Sequence, residues 1–253
     1  MTNWKVRSTN YEKLEWIKNK EFESFFLYSI IDNKPLGRLN FLDIGCGTGI
    51  VLKQLIESTD KRHNYYGVDN CEEMLNKCKY LLNTKDVELH KVDCSGKGLI
   101  YFDYIKFDVI YSRMCFHHLD DLENVFKTCY KILNDSGIML ICEGVPFSHN
   151  IIDEYVEIFK IKEPVRNIMS AEELSNYFID AGFKDVHIKY FIMEDVSLLN
   201  WLNNSDLYED DIEEIYNLHT TKASDEFKKV YKIQEKDGDV FMRWKFVVVS
   251  GVK

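Results

Sequence analysis

The chain has 253 residues and a formal net charge of −10, from 32 Lys and Arg against 42 Asp and Glu. This length allows one α/β domain with additions or at most two small domains, and a hydrophobic content of 45% excludes wholesale disorder. The acidic balance argues against DNA or RNA as the substrate, because a polyanion is bound through a basic surface.

Seven cysteines are spread along the chain, and none forms a C-x-x-C pair or a grouping with histidine at zinc spacing. We interpret them as reduced thiols of a cytoplasmic protein. The first residues, MTNWKVRSTNYEKLEW, are too polar for a signal peptide, and no apolar run approaches the length of a membrane span. We therefore expect neither a membrane nor a nucleic acid as a partner.

Apolar residues recur at helical spacing over Tyr11–Ile31 and predict one helix ahead of the first strand. Pro35 and Gly37 then interrupt the pattern. Residues 1–37 are thus predicted to form an N-terminal helical segment, which either covers a ligand pocket or packs on the edge of the sheet.

The stretch FLDIGCGTG, Phe41–Gly49, predicts a buried strand that turns through three glycines into a helix opening at Ile50. Glycines allow a tight turn and a close approach of the backbone to a ligand, and the helix presents unpaired N–H groups there. The G-x-G-x-G spacing differs from the dinucleotide fingerprint G-x-G-x-x-G. Asp43, two residues before the first glycine, would repel a pyrophosphate but suits a ligand with positive charge.

LDIGCGTG resembles motif I of the class I S-adenosylmethionine (SAM) methyltransferases, whose ligand carries a sulfonium, an ammonium and no phosphate. The resemblance covers residues 40 to 145 strongly and the rest of the chain loosely. It implies SAM as the cofactor and S-adenosylhomocysteine as its product. The residues implied in SAM binding at this loop are Asp43, Gly45, Cys46, Gly47 and Gly49. A glycine-rich turn without a ligand and a nicotinamide enzyme remain as alternatives.

The predicted second strand, Tyr65–Val68, ends at Asp69. An acidic side chain at the tip of the neighbouring strand can accept hydrogen bonds from two ribose hydroxyls, and the methyltransferase family carries its ribose-binding acid there. We therefore predict Asp69 as a ribose ligand, with a plain helix N-cap as the alternative. The resemblance also places Asn70 and Met74 against the cofactor, although Met74 belongs to an apolar stripe that equally fits the core.

The predicted third strand, Val87–Val92, ends in Asp93 and Cys94. In the family an acidic residue at this point meets the adenine amino group, and the next residue offers a backbone N–H. The resemblance therefore implies adenine contacts for both residues.

The predicted fourth strand, Phe107–Tyr111, leads into the block SRMCFHHLDD. Ser112 is predicted to contact the cofactor and Arg113 the acceptor. Asp120 and Asp121 most simply begin the next helix. We expect no metal, because SAM is already activated for transfer.

A fifth strand, Ile138–Cys142, ends at Glu143, so that five strand–helix repeats follow one another. Such repeats form a parallel sheet with helices on both faces, and ligands bind beyond the carboxyl ends of its strands. The polar positions singled out above all fall at those ends, which indicates a single binding rim.

Two further strands, Phe183–Met193 and Asp239–Val249, complete the predicted sheet, and in the family they pair antiparallel at one edge. We predict an α/β, Rossmann-like fold with a seven-stranded, mostly parallel sheet and an antiparallel edge strand. The chain 1–253 is predicted to be one domain, with residues 38–145 as the SAM-binding core. Between the last two strands, residues 195–234 are predicted to form a helical insert.

This insert is acidic and contains several aromatic residues. We interpret it as a lid over the acceptor, with a dimer contact as the alternative. Trp201 of the insert and Tyr11 of the N-terminal segment are predicted to bind the acceptor. The oligomeric state is expected to be a monomer or a homodimer.

Three side chains at the rim could remove a proton from an acceptor: His117, His118 and Glu143. Histidine titrates nearest neutrality, and a carboxylate that orients it sharpens its basicity. The block resembles the ubiquinone/menaquinone methyltransferase-like branch, in which a paired histidine follows strand four. That resemblance implies His117 as base, Glu143 as its partner and His118 as a packing and acceptor contact. The alternative is that both histidines are loop residues whose side chains are bonded to the backbone.

The sequence thus predicts a metal-independent SAM methyltransferase that acts on a small molecule, at a hydroxyl oxygen of a biosynthetic intermediate. Carbon methylation of a quinone-like ring and a SAM-binding protein without transfer activity are the alternatives. The N/D-P-P-Y string of amino-methylating DNA and RNA enzymes does not follow strand four, where YSRM stands instead.

Overall fold

One eight-stranded sheet organises the described part of the chain, residues 4–59, 62–83, 87–203 and 205–253 of the computed structural model. Its strands are β1 (Asn40–Ile44), β2 (Asn64–Asp69), β3 (Val87–Lys91), β4 (Phe107–Arg113), β5 (Leu133–Gly144), β6 (Lys184–Ser197), β7 (Gln234–Lys236) and β8 (Asp239–Val252). The helices are α1 (Trp4–Asn10), α2 (Lys20–Asn33), α3 (Ile50–Ser58), α4 (Glu72–Leu82), α5 (Leu122–Ile132), α6 (Ile152–Lys162), α7 (Ala171–Ala181), α8 (Leu198–Asn203), α9 (Glu209–His219) and α10 (Asp225–Tyr231). The predicted segments 1–37, 38–145 and 195–234 also contain residues 1–3, 60, 61, 84–86 and 204, which lie outside the described residues.

The first five strands are parallel and lie in the order β3-β2-β1-β4-β5. Their side chains alternate between the two faces, so that Phe41 and Tyr111 pack in one core and Leu42 and Ile110 in the other. The strand order reverses between β1 and β4, and ligands of such sheets bind at the carboxyl ends beside this point. The predicted Rossmann-like fold is confirmed.

The C-terminal strands close one side of the sheet. β8 is antiparallel to β5 and to β6, which confirms the predicted antiparallel pairing at the edge. The sheet has eight strands and not the predicted seven. The additional strand, β7, pairs with β8, and Asp237 and Gly238 form the turn between them. These two residues have φ of 54° and 78°, as the two-residue hairpin turn of type I′ requires. The Asp-Gly pair is a hairpin signal that the sequence interpretation overlooked.

The N-terminal segment is helical, but it is not the one continuous helix that was predicted. α1 ends at Asn10, two short 3₁₀ turns follow, and α2 begins only after Asn19. The Asn19 side chain accepts a hydrogen bond from the Phe22 N–H at 2.9 Å and so caps α2. This interruption lets Tyr11 and Trp16 reach the cavity described below.

The segment between β6 and β7 contains α8, α9 and α10. Its Leu198 and Ile215 lie in the same hydrophobic core as Phe22 of the N-terminal segment, so both segments pack on the same side of the sheet. None of the described helices is long and apolar enough to span a bilayer.

Candidate active site

The glycine loop after β1 is held by backbone hydrogen bonds to β2. The N–H groups of Gly45 and Cys46 both donate to the Val68 carbonyl, at 2.8 and 2.9 Å. Gly45 has a φ of 70°, and a Cβ there would lie 2.3 Å from Cys115 Sγ, so a larger residue does not fit. A Cβ at Gly47 would meet no described atom within 4 Å. The loop is therefore closely packed on one side and open on the other, where a ligand can approach its backbone.

Asp69, at the carboxyl end of β2, fixes the same loop from the side. Its Oδ2 accepts from the Gly47 N–H at 3.0 Å and its Oδ1 from the Cys71 N–H at 2.8 Å. A carboxylate has about four acceptor positions, so capacity remains for ribose hydroxyls. The residue that directly precedes α4 is Cys71, so Asp69 is not simply the N-cap of that helix. Asn70 beside it is exposed, and ribose binding remains a prediction for both residues.

Asp43 places a second carboxyl group behind the loop. Burial raises the pKa of this carboxyl to about 8, and the charge of Asp69 adds to the rise while Arg113 opposes it. Two carboxyl groups in one poorly solvated region disfavour further negative charge and favour a cation. The sulfonium and ammonium of SAM meet this requirement, whereas a pyrophosphate does not. The residues of the loop therefore fit SAM.

The side chains of the other residues predicted to contact the cofactor are buried or form hydrogen bonds within the protein. Met74 is 2% exposed and packs in the core beneath α4. Ser112 donates to the Ile44 carbonyl at 2.7 Å and so joins β4 to β1. Asp93 is exposed and accepts a nearby backbone N–H at 3.0 Å, while Cys94 is buried. Cofactor contacts from Met74, Ser112, Asp93 and Cys94 remain predictions.

A cavity that is partly open to solvent lies where the segments after β4 and β5 meet the N-terminal segment, and clefts of this kind are the usual sites for small ligands. Four parts of the chain line it: the N-terminal segment, the ends of β4 and β5, α6 with the segment after it, and the insert with β8. Much of its wall is aromatic, including Trp16, Phe159, Trp201, Tyr231, Trp244 and Phe246.

Three of the four predicted acceptor contacts, Tyr11, His118 and Trp201, line this cavity, and Arg113 does not. The Arg113 guanidinium lies 5.7 Å from the centroid of the Phe22 ring. Its charge opposes the burial-driven rise in the pKa of Asp43 and of the Tyr11 hydroxyl. Arg113 therefore lies near Asp43 and Tyr11 without lining this cavity, and the predicted acceptor contact is not seen there.

His117 and Glu143 form a buried pair at the ends of β4 and β5, with exposures of 3% and 1%. His117 Nδ1 lies 2.5 Å from Glu143 Oε2. Glu143 Oε1 accepts from the backbone N–H groups of Cys115 and Phe116, at 3.1 and 2.7 Å. The carboxylate thus fixes both the turn that carries the imidazole and the imidazole itself. Protonated at Nδ1 toward the carboxylate, the ring keeps Nε2 free to accept a proton.

A charged cluster that the sequence interpretation missed lies next to this pair. Glu163 Oε1 is 2.6 Å from Arg7 Nη1, and its Oε2 is 3.0 Å from Arg166 Nη1 and 4.0 Å from His117 Nε2. Burial alone would raise the pKa of Glu163, but Arg166, the two histidines and Arg7 hold it well below its usual range. Arg7 Nε also contacts Asp206 at 3.3 Å. Arg7 and Glu163 lie 156 positions apart, so no local pattern in the sequence indicates their contact. The run KEPVR at the end of α6 was the only sign in the sequence of a charged cluster.

His118 packs beside His117, with the ring centroids 3.9 Å apart, and lies nearly perpendicular to the Trp4 ring, with the centroids 4.8 Å apart. Burial and the neighbouring His117 lower its pKa to about 2, so this imidazole is neutral. Ligand atoms of His117, His118 and Glu163 lie within 4.8 Å of one another, the spacing of a possible metal site. Glu163 is already paired with two arginines, however, so a divalent cation there would meet two positive charges.

Asp120 and Asp121 do not contribute to this cluster. Asp121 directly precedes α5 but makes no side-chain cap, and its Oδ2 instead accepts from the Asn124 side chain at 2.8 Å. The predicted position at the start of the helix is therefore right, while capping through the Asp121 carboxylate is wrong. The prediction that the protein uses no metal remains a prediction.

The chain matches the family described as methyltransferase domain over residues 14–188. It is 27% identical over 173 residues to a malonyl-[acyl-carrier protein] O-methyltransferase of Bacillus cereus, covering 68% of this chain and 61% of that protein. It is 26% identical over 136 residues to a ubiquinone biosynthesis O-methyltransferase of Pelagibacter ubique, covering 54% of each. The chain thus spans about three fifths or less of the length of these relatives.

Solved structures share the fold at lower identity. The YcgJ protein from Bacillus subtilis superimposes with a TM-score of 0.75 at 16% identity, covering 91% of this chain and 97% of that one. Phosphoethanolamine N-methyltransferase 2 of Haemonchus contortus, in complex with SAM, gives 0.58 at 19% identity, covering 97% and 57%. Such identities establish the fold alone. The family match over more than half of the chain, joined to a loop that fits SAM, shows that this protein belongs to the class I SAM-dependent methyltransferases and uses SAM as its cofactor.

Proposed function

We propose that this methyltransferase acts on a hydroxyl oxygen of a small molecule, with His117 as the general base and Glu143 as the residue that positions it. The observation that carries the proposal is the 2.5 Å contact between His117 Nδ1 and Glu143 Oε2 at the wall of the cavity. A hydroxyl is a poor nucleophile while it keeps its proton, so a base at this point accelerates transfer. Both curated relatives described above are O-methyltransferases by name, which supports an oxygen acceptor.

When bound, SAM supplies a methyl carbon that is already activated for in-line displacement. The open face of the glycine loop and the free acceptor positions of Asp69 hold the cofactor at the ends of β1 and β2. The cavity holds the acceptor beside His117, whose Nε2 takes the hydroxyl proton as the new bond forms. Glu143 keeps the imidazole in the correct tautomer and stabilises the imidazolium that results. The aromatic wall excludes water from the reacting atoms.

The insert serves in this proposal as a lid over the acceptor. Trp201 and Tyr231 of the insert line the cavity together with Tyr11 of the N-terminal segment, so the acceptor would be enclosed from two sides. The seven cysteines are free thiols, which fits a cytoplasmic enzyme. We propose that it acts as a monomer or a homodimer on a free small molecule, with neither nucleic acid nor membrane as a partner.

The test is methyl transfer to a panel of small phenols and alcohols, followed by release of S-adenosylhomocysteine. The expected products are methyl ethers, identified by mass and by NMR, and their formation should depend on His117. Methylation at a ring carbon would replace the proposal by C-methylation of a quinone-like ring. SAM binding without transfer to any acceptor would favour a SAM-binding protein that lacks transfer activity.

A further inference from the structure

The charge on the wall of the acceptor cavity is opposite to that of the chain. Among the described residues that line the cavity, Glu163 is the only carboxylate, whereas Arg7, Lys162, Arg166 and Lys245 are basic. The chain as a whole has 42 acidic against 32 basic residues. Glu163 contacts both arginines and Asp206 contacts Arg7, so two carboxylates face four basic side chains and a positive excess remains at the site.

Lys162, the last residue of α6, carries part of this excess. It is 4% exposed, and its ammonium group makes no hydrogen bond or ion pair with any residue in the described ranges. Its Nζ lies 5.1 Å from the centroid of the Trp201 ring. A buried ammonium without a partner is costly, and burial, assisted by Arg7, lowers its pKa to about 7. A negative group in the cavity would remove this cost.

Arg166 supplies the second unused donor. Its side chain is 6% exposed, and Nη1 is taken by Glu163 at 3.0 Å. Its Nε is buried without a hydrogen-bond partner among the described residues, and its guanidinium lies 4.4 Å from the centroid of the Phe159 ring. The next residue, Asn167, donates its backbone N–H to the His117 carbonyl at 2.8 Å. Arg166 is therefore tied by the chain to the proposed base.

We propose that the acceptor carries an anionic group, a carboxylate or a phosphate, and that Lys162 and Arg166 receive it in the cavity beside His117. This inference rests on the proposed function, because it concerns the substrate of the same site. The anion would pair with the ammonium of Lys162 and accept from the free guanidinium donors of Arg166. The apolar body of the acceptor would lie along the aromatic wall formed by Trp201, Trp244 and Phe246.

Two other kinds of ligand, a divalent cation and a neutral acceptor, fit this cluster of charged side chains less well than an anion. A divalent cation held by His117, His118 and Glu163 would be repelled by Arg7 and Arg166, which both contact that carboxylate. A neutral acceptor would leave the Lys162 ammonium without a counter-charge. An anion offers an acceptor to the Arg166 Nε and at the same time balances the charge of Lys162.

The test measures binding of three probes by calorimetry to protein saturated with S-adenosylhomocysteine: benzoate, phenyl phosphate and the neutral benzyl alcohol. At least one anion is expected to bind about tenfold or more tightly than benzyl alcohol, and whichever anion wins identifies the group. Lys162→Met, which keeps the length of the side chain and removes the charge, should abolish this preference. The matched control is Lys160→Met, an exposed position of the same helix, which should keep it.

A second variant should change the affinity for the anion in the opposite direction. Glu163→Gln removes the one carboxylate of the cavity wall, so the anion should bind more tightly, provided that circular dichroism shows a native fold. Equal affinity of wild type for all three probes, or equal effects of the two lysine changes, would overturn the inference. Probe binding requires no turnover, whereas the proposed function is tested by methyl transfer, so failure of the one is distinguishable from failure of the other.

Discussion

His117 Nδ1 and Glu143 Oε2 lie 2.5 Å apart, although 26 positions separate the two residues in the chain. They meet because β4 and β5 are parallel neighbours, with His117 in the turn that follows β4 and Glu143 next to the last residue of β5. Both Glu143 oxygens are engaged, one by the imidazole and one by the backbone of the turn at Cys115 and Phe116. The proposed base is therefore oriented by the fold itself.

His117→Ala should lower kcat by about a hundred- to ten-thousand-fold, the usual contribution of a positioned general base. SAM affinity should change little, because His117 lies on the wall of the acceptor cavity. Glu143→Gln should also lower kcat strongly, and the two changes should not be additive, since both residues act in one proton transfer. Steady-state kinetics on the two single variants and the double variant provide the measurement.

His118→Ala is the matched control for this experiment and should cost less in kcat. Near-normal turnover of His117→Ala would show that the acceptor needs no base at this position. An activated carbon or an already acidic hydroxyl would then be the better candidate for the methylated group.

Asp69→Ala should weaken SAM binding by about 1.5–3 kcal/mol, the range for losing charge-assisted hydrogen bonds. The change removes the predicted ribose contacts and also the acceptor that holds the Gly47 N–H in the glycine loop. Calorimetric titration with SAM measures the effect, and Asp32→Ala, at an exposed position of α2, is the control. Unchanged SAM affinity in a folded Asp69→Ala protein would refute the ribose assignment.

Turnover should persist after treatment with a chelator, because the negative charge of Glu163 is already balanced by Arg7 and Arg166. The measurement is the rate of S-adenosylhomocysteine release with EDTA and then with added magnesium, manganese or zinc. Loss of activity with EDTA and recovery with one of these metals would instead assign His117, His118 and Glu163 as metal ligands.

Trp201→Ala should raise the acceptor KM or lower kcat while SAM affinity stays nearly constant. Trp201 lines the cavity and packs edge-on against Trp244, with the ring centroids 5.4 Å apart. Tyr208→Ala is the control, because this residue of the same insert is 82% exposed. A loss of SAM binding, or a loss of dimerisation with normal kinetics, would contradict the role of the insert as a lid.

The contribution of His118 to stability should be lost as the pH drops below about 6.5. Burial and His117 lower the pKa of His118 to about 2, whereas an unfolded histidine titrates near 6.5. The unfolded state therefore binds more protons in this range, so the contribution of His118 is present above pH 6.5 and is lost on acidification, by on the order of 1 kcal/mol per pH unit. His219, whose pKa burial lowers to about 4, adds in the same direction.

Urea unfolding between pH 5 and 8 measures this slope. His118→Gln should reduce the loss of stability on acidification, while His219 still contributes in the same direction and Asp43, whose pKa burial raises to about 8, contributes in the opposite one. His149→Gln, at an exposed position, should leave the slope as it is. An identical slope in wild type and His118→Gln would show that His118 is not held neutral in the folded protein.

The sequence by itself determined the features that depend on near neighbours in the chain. The spacing of the glycines and the position of Asp43 identified the cofactor loop, because a tight turn and a local charge are properties of adjacent residues. The strand–helix repeats predicted a parallel sheet, and a parallel sheet brings the ends of its strands to one rim. The family resemblance implied the pairing of His117 with Glu143, and that rule is consistent with it because the two residues close adjacent strands.

Tertiary structure decided what depends on distant residues. The interruption of the N-terminal helix at Asn19 allows Arg7 to reach Glu163, a contact that no local pattern indicates. Burial likewise made Lys162 and Arg166 functional candidates, since a lysine at the end of a helix is ordinarily solvated. The free energy of a charge depends on the groups packed around it, and at this cavity those groups come from the N-terminal segment, from α6 and from the insert, far apart in the chain.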